Sequence, residues 1–390
     1  MRTAIALLAI LGMLAIIGTL LPQIPQNPRG VMGYVLNHPT TAPWFARLGL
    51  FDIFSSWLFV ITAVLLYTSI GASLVVRIPA AWRRGRETAQ RNRAWWAEVA
   101  SIIFHGSFFI LLVGVLYGKA AGFVGNAAVV EGQTFVETRA SFDNLSEGVL
   151  AGKHAGFTVQ MDTFRATYWP TGTPRDFTSR VRIYDGGQLV ETKNIQVNHY
   201  LDYGGVKIYQ TGYGWAPALR IETPDGRTVA DGPVTFVGDP QFANGVIKAP
   251  SAGPTSQELG VAAWFLPDPR LSGNAISPGT PELRNPLMLV NLYRGDLHLT
   301  QPQNVFSLDT SGMDLRWRGA LRVGDTVTTP DGYRLTFSRL AQYTDLTFNK
   351  DPGVPIVLAG FVIGLGALIV SLYLPVLGPE QRLAPPRELI

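Results

Sequence analysis

Four uninterrupted apolar runs constrain this chain more than any motif does. They are Thr3 to Leu21, Ser56 to Val76, Val99 to Gly118 and Val354 to Leu374, and they mark the expected transmembrane helices 1–22, 56–76, 99–118 and 354–375. Each holds about 20 residues, enough at 1.5 Å rise per residue to cross a hydrocarbon core of about 30 Å. Hydrophobic residues make up 47% of the chain and charged residues only 15%, an excess that the four runs absorb and that a purely soluble enzyme would not carry. The fold class expected is a multi-pass membrane protein with four transmembrane α-helices, three N-terminal and one C-terminal, and a large, mainly antiparallel β extracytoplasmic domain. The first run follows Arg2, as a signal peptide would. It is too long for one, and Gly18-Thr19-Leu20-Leu21-Pro22 lacks small residues at the cleavage spacing, so a retained anchor is expected.

Arginine sets the orientation. The segment 77–98 carries Arg77, Arg83, Arg84, Arg86, Arg91 and Arg93, whereas 23–55 carries only Arg29 and Arg47. The positive-inside rule places 77–98 in the cytoplasm. Both termini, including the tail 376–390, are then cytoplasmic, and 23–55 and 119–353 lie outside the plasma (inner) membrane. The net charge of +4 is thereby explained as topology rather than nucleic-acid binding. Trp95 and Trp96 fit an interfacial aromatic belt.

The segment 119–353 reads as β-structure. Arg180 to Tyr184 alternates, turns at Asp185-Gly186-Gly187 and resumes through Val197, which is a hairpin pattern. Thr-Pro-Asp-Gly turns stand at 223–226 and 329–332. Residues 238–286 are rich in Pro, Gly and Ser and weakly patterned, so long loops are expected there.

The absence of cysteine excludes disulfides, thiolate-bound zinc, iron–sulfur clusters and thiol redox chemistry by this chain. No phosphate-binding loop, serine nucleophile elbow, zincin helix or dinucleotide fingerprint is present, so a self-sufficient catalytic site is not expected. The four runs contain one ionisable side chain, His105, about six residues or roughly 9 Å from the cytoplasmic end of the third. An ionisable group at that depth is costly unless partnered, which makes it a functional candidate. From residue chemistry alone it serves a haem iron, a proton relay or a packing hydrogen bond equally. Outside, His199 closes an alternating strand and is a second candidate ligand; His38, His154 and His298 read as solvated or structural. Gly114 and Gly118, and Gly360 and Gly364, form small-residue stripes suited to close helix approach, within the chain or against a second membrane protein.

Several stretches together resemble the ResB (CcsB) family of cytochrome c biogenesis proteins. They are Ile17 to Gln23, Leu48 to Trp57, Phe104-His105-Gly106, Ile195 to His199, Tyr203 to Gln210, Tyr293 to Leu297, Phe306 to Asp309 and Lys350 to Pro355. Each is weak alone, but their order spans nearly the whole chain. The resemblance implies a subunit of the System II machine, partnered by a ResC (CcsA) membrane protein. Such a machine carries haem b across the membrane as a transported substrate and attaches it to the Cys-x-x-Cys-His motif of apocytochrome c. It implies His105 as an axial ligand of the haem iron and His199 as an outer haem-binding residue. Tyr200 departs from the proline common in the family at that place. The expected role is therefore an essential, non-catalytic subunit of a haem lyase complex. The alternatives are a membrane-anchored scaffold that holds apocytochrome without ligating haem, and a sensor. The sensor is disfavoured by the short cytoplasmic segments, and His105 separates the first two.

Overall fold

The computed structural model describes residues 2–24, 28–87, 93–169, 171–250, 257–273, 275–300 and 306–374. It divides into two compact units, Met1–Tyr117 with Gly353–Ile390, and Gly118–Pro352.

The first unit is helical: α1 Arg2–Leu20, α2 Pro28–Asn37, α3 Ala42–Arg47, a 3-10 turn Leu50–Ser55, α4 Trp57–Glu87, α5 Arg93–Ala121 (which runs on into the second unit) and α6 Val354–Tyr373. Of these, α1, α4, α5 and α6 are long and apolar enough to span a membrane. The stretches Ile17 to Gln23 and Leu48 to Trp57 are two sides of one structure. Gln23, just past α1, is buried; its Oε1 accepts from Ile53 N at 3.0 Å and its Nε2 donates to Leu50 O at 3.0 Å. Its amide thus satisfies backbone groups that the 3-10 turn leaves without internal partners. Leu14, Leu50 and Ile53 form the core beneath it, and a side chain at Gly18 would overlap Ile53. Gln23→Leu keeps the volume but strands a buried donor and acceptor. The expected loss is about 2 kcal/mol of helical-unit stability, read as a lower midpoint in detergent denaturation of the full chain.

The segment 77–98 is less of a loop than its charges suggest. The helix α4 continues through Arg77 and Pro79 to Glu87, eleven residues past the apolar run, and α5 begins at Arg93. Arg84 pairs with Glu98, and Trp95 Nε1 donates to Ala81 O at 3.0 Å. Trp95 is therefore turned into the α4–α5 pair, its ring against Gly85, while Trp96 stays 46% exposed. The glycine stripes pack within the chain: Gly114 lies against Val357, Gly360 against Ile110 and Leu111, and Gly364 against Ser107. With no Cβ at these points the backbones of α5 and α6 approach closely.

The second unit is built on two 17-residue strands, Val206–Glu222 and Arg334–Lys350, paired antiparallel along nearly their whole length. They form the centre of a seven-stranded sheet, flanked by Phe123–Val130 and Asn144–Glu147 on one side and Leu201–Tyr203 on the other. Two further sheets cover this pair. One holds Thr134–Val136, Thr158–Tyr168, Pro174–Asp185 and Gln188–Gln196; the other holds Val237–Asp239, Phe242–Ala249, Glu258–Leu266, Leu287–Gly295 and Asp314–Leu321. All strand pairing among the described residues is antiparallel.

Each covering sheet makes its own core. Val206, Ile208, Leu346 and Phe348 pack with Phe157, Val159, Met161, Val181 and Ile183. Trp215, Leu219, Ile221, Leu335 and Phe337 pack with Val261, Phe265, Val290 and Leu292. On Val206–Glu222 the buried positions change from even to odd between the two cores, and an irregularity in the pairing at residues 210–212 supplies the extra residue. Since side chains alternate with a strict period of two, such a bulge is what lets one strand serve both cores.

The long loops expected over 238–286 are a correction: much of this stretch is strand. Phe242–Ala249 buries every second residue, but those residues are Ala243, Gly245, Ile247 and Ala249. Gly245 is small because the Phe236 ring lies against it. Alternation carried by small residues leaves little hydropathy signal.

Candidate functional site: three histidines

His105 lies on the flank of α5 that contacts α4. Four residues before it, Ser101 Oγ accepts from Arg77 Nη2 at 3.2 Å; four after it, the Phe109 ring meets Tyr67 edge-on at 5.6 Å. His105 itself is half-buried, and its Nδ1 stands 2.7 Å from Ser101 O. A carbonyl oxygen only accepts, so Nδ1 carries the proton. In the neutral ring the lone pair then lies on Nε2, to which no described residue is bonded. That tautomer is the one a ring ligating a metal through Nε2 requires. The opposite flank of α5 borders an apolar cavity of about 350 Å³, lined by Trp96, Ala100 and Ile103 with Gly366, Ala367 and Val370 of α6. His105 does not line it.

His199 closes a tight turn through Val197 and Asn198, its backbone exchanging hydrogen bonds of 2.9 and 3.1 Å with Gln196. Asn198 adopts φ 65°, a left-handed conformation that asparagine tolerates better than most residues. The ring is exposed, with Nδ1 donating to Val197 O at 3.2 Å, which in the neutral ring leaves the lone pair on Nε2. The Tyr200 ring lies 5.0 Å from that of Tyr209, tilted by 43°, and under the Lys207 ammonium. His199 thus faces solvent rather than a core. His199 belongs to the second unit and His105 to the first.

His154, expected to be solvated or structural, is held between two carboxylates. Its Nδ1 is bonded to Glu137, which is wholly buried, and its Nε2 to Glu147 Oε1 at 2.6 Å. Arg139 pairs with Glu147, and Gly156 N donates to Glu137 Oε2 at 3.1 Å. Burial alone would lower the imidazole pKa, but the two glutamates outweigh it and raise it. Glu147 is lowered, chiefly by Arg139 and then by His154. With both nitrogens engaged, His154 is a structural cation rather than a ligand. Sequence gave no sign of this, because the partners lie 17 and 7 residues away on other elements. His38 stacks on Tyr34 at 4.2 Å and His298 stands 3.5 Å from Asp296. No cluster of three metal-ligating side chains occurs among the described residues.

A family profile described as the ResB-like family matches residues 1–95 and 88–376, nearly the entire chain. The chain belongs to the ResB-like family. Among similar curated proteins is the cytochrome c biogenesis protein CcsB of Synechococcus sp. (strain JA-3-3Ab), 26% identical over 268 residues, or 67% of this chain and 47% of that one. The CcsB protein of Microcystis aeruginosa is 24% identical over 312 residues, covering 77% and 60%. That of Gloeobacter violaceus is 27% identical over 278 residues, covering 70% and 50%. The chain spans about half the length of the curated relatives it matches. As in the expectation from sequence, this ResB-like chain combines three N-terminal and one C-terminal apolar helices with a β domain between them.

Proposed function

We propose that the chain is a membrane subunit of a cytochrome c biogenesis machine, and that it ligates haem b as transported substrate on its way to apocytochrome c. The relatives' names support the process. The observation that carries the ligand assignment is the Nδ1–H bond of His105 to Ser101 O, which presents Nε2 as an iron donor in an otherwise apolar helical unit. The Arg77 guanidinium, on the same flank and bonded to Ser101, is a cation of the kind haem propionates need. The arginine asymmetry supports an outer position for the β domain, which would present His199 as a second donor at a solvent-facing turn. A ResC/CcsA-type membrane protein would complete the site, since iron takes two axial ligands and the helical unit offers one histidine in a span.

The test is reconstitution. The chain and a ResC/CcsA-type protein are expressed in a host lacking its own cytochrome c maturation system, together with an apocytochrome bearing Cys-x-x-Cys-His. Covalent haem staining of the cytochrome should need both proteins. Staining without this chain contradicts the proposal.

A further inference from the structure

The β unit carries an apolar feature that its own cores do not use. Val149 is 93% exposed, more than any other large apolar side chain among the described residues, and Leu150 beside it is 67% exposed. They sit on the turn 148–151, closed by Ala151 N donating to Gly148 O at 2.9 Å. This turn is fastened to the end of α5: Gly148 N donates to Gly122 O at 2.9 Å, and Leu150 N to Ala120 O at 2.7 Å. A Cβ on Gly148 would overlap the carbonyls of Lys119 and Ala120, so glycine is what permits the approach. The base of the turn is closed as well, because Glu147 and His154 bond to each other across it. These bonds frame the turn on both sides, and the two aliphatic side chains project from it uncovered by the domain.

We propose that the turn 148–151 is a membrane-interface anchor that seats Val149 and Leu150 at the boundary of headgroups and acyl chains. The occupant follows from continuity with the spanning helix. Ala120 lies two residues past Gly118, where the apolar run of α5 ends, which is about 3 Å further along the helix axis. The headgroup zone on each side of the hydrocarbon is thicker than that. A turn bonded to Ala120 therefore lies at interfacial depth, where exposed aliphatics are favoured rather than penalised. Lys119 and Lys153, both exposed, flank it and suit the phosphates of anionic headgroups. The other end of the domain serves as a reference. Lys350, paired with Phe123, marks the membrane-connected end of the long strand, and Arg334 lies 16 residues away, about 50 Å at strand rise.

Because the chain has no cysteine, one introduced thiol is unique. A nitroxide is attached to Leu150→Cys, to Val149→Cys and, at the distal turn, to exposed Arg227→Cys in the full chain. The chain alone is placed in nanodiscs of phosphatidylcholine and phosphatidylglycerol. Collision of the label with oxygen, which partitions into lipid, is compared with collision with a water-soluble nickel chelate. The proposal expects oxygen to dominate at 149 and 150 and the chelate at 227. Dominance of the chelate at 149 and 150 would place the turn in water and overturn it. Low access of both reagents there, with an immobilised spectrum, would show protein cover and overturn it equally.

Discussion

His105→Ala is expected to reduce covalent haem attachment in the reconstituted system by more than tenfold while the protein accumulates normally. The magnitude follows from the role: loss of partners that merely orient a ligand costs roughly 10–100-fold, and this change removes the donor nitrogen itself. The structural cost is small by comparison. His105 is half-buried, its one bond is to Ser101 O within its own helix, and the α5–α6 contacts run along the other flank through Gly360 and Gly364. A scaffold would therefore tolerate the change. His105→Gln, which fills similar volume without a ligating imidazole, should be as defective as alanine. Normal attachment in either variant means that haem does not depend on this side chain.

The second large effect concerns stability. His154→Ala leaves Glu137 wholly buried with only the Gly156 N–H bonded to it, and leaves Glu147 with Arg139 alone. Removing one partner of a buried ionic group costs about 3 kcal/mol. The wild-type pH profile carries a matching signature. The His154 pKa is raised by folding, so its contribution is complete below its ordinary value of 6.5 and is lost as pH rises through the higher native value. Glu147 is lowered, so its contribution is complete above its ordinary 4.5 and is lost as pH falls through the lower native value. The thermal midpoint of the full chain in detergent should therefore be highest between about pH 4.5 and 6.5 and decline on the alkaline side. In His154→Ala the midpoint should fall and the alkaline decline should flatten. An unchanged midpoint with the same alkaline decline would show that the cluster contributes nothing.

The spans and the β character of the large domain were legible because both rest on composition and period, which survive without knowledge of tertiary partners. His105 was legible for the same reason, as the single ionisable group in four apolar runs. What was hidden depended on partners distant in sequence. Gln23 reads as an ordinary loop residue until the 3-10 turn at 50–55 folds over it. His154 looks solitary until Glu137 and Glu147 converge on it. The strand Phe242–Ala249 was hidden because Ala and Gly, with the one branched Ile247, line its buried face. Trp95 likewise has partners that its place at a helix end does not announce: Gly85 opens room for its ring between α4 and α5.

The central claim is that His105 Nε2 binds haem iron. An absorption spectrum of the chain purified with its ResC/CcsA-type partner tests it most directly, as wild type and as His105→Ala. A Soret band should be present in the wild type, shrink in the variant and return when imidazole is added to fill the vacant axial position. A variant whose Soret band keeps its intensity and position, in an intact complex, would contradict the assignment and leave the chain as a scaffold.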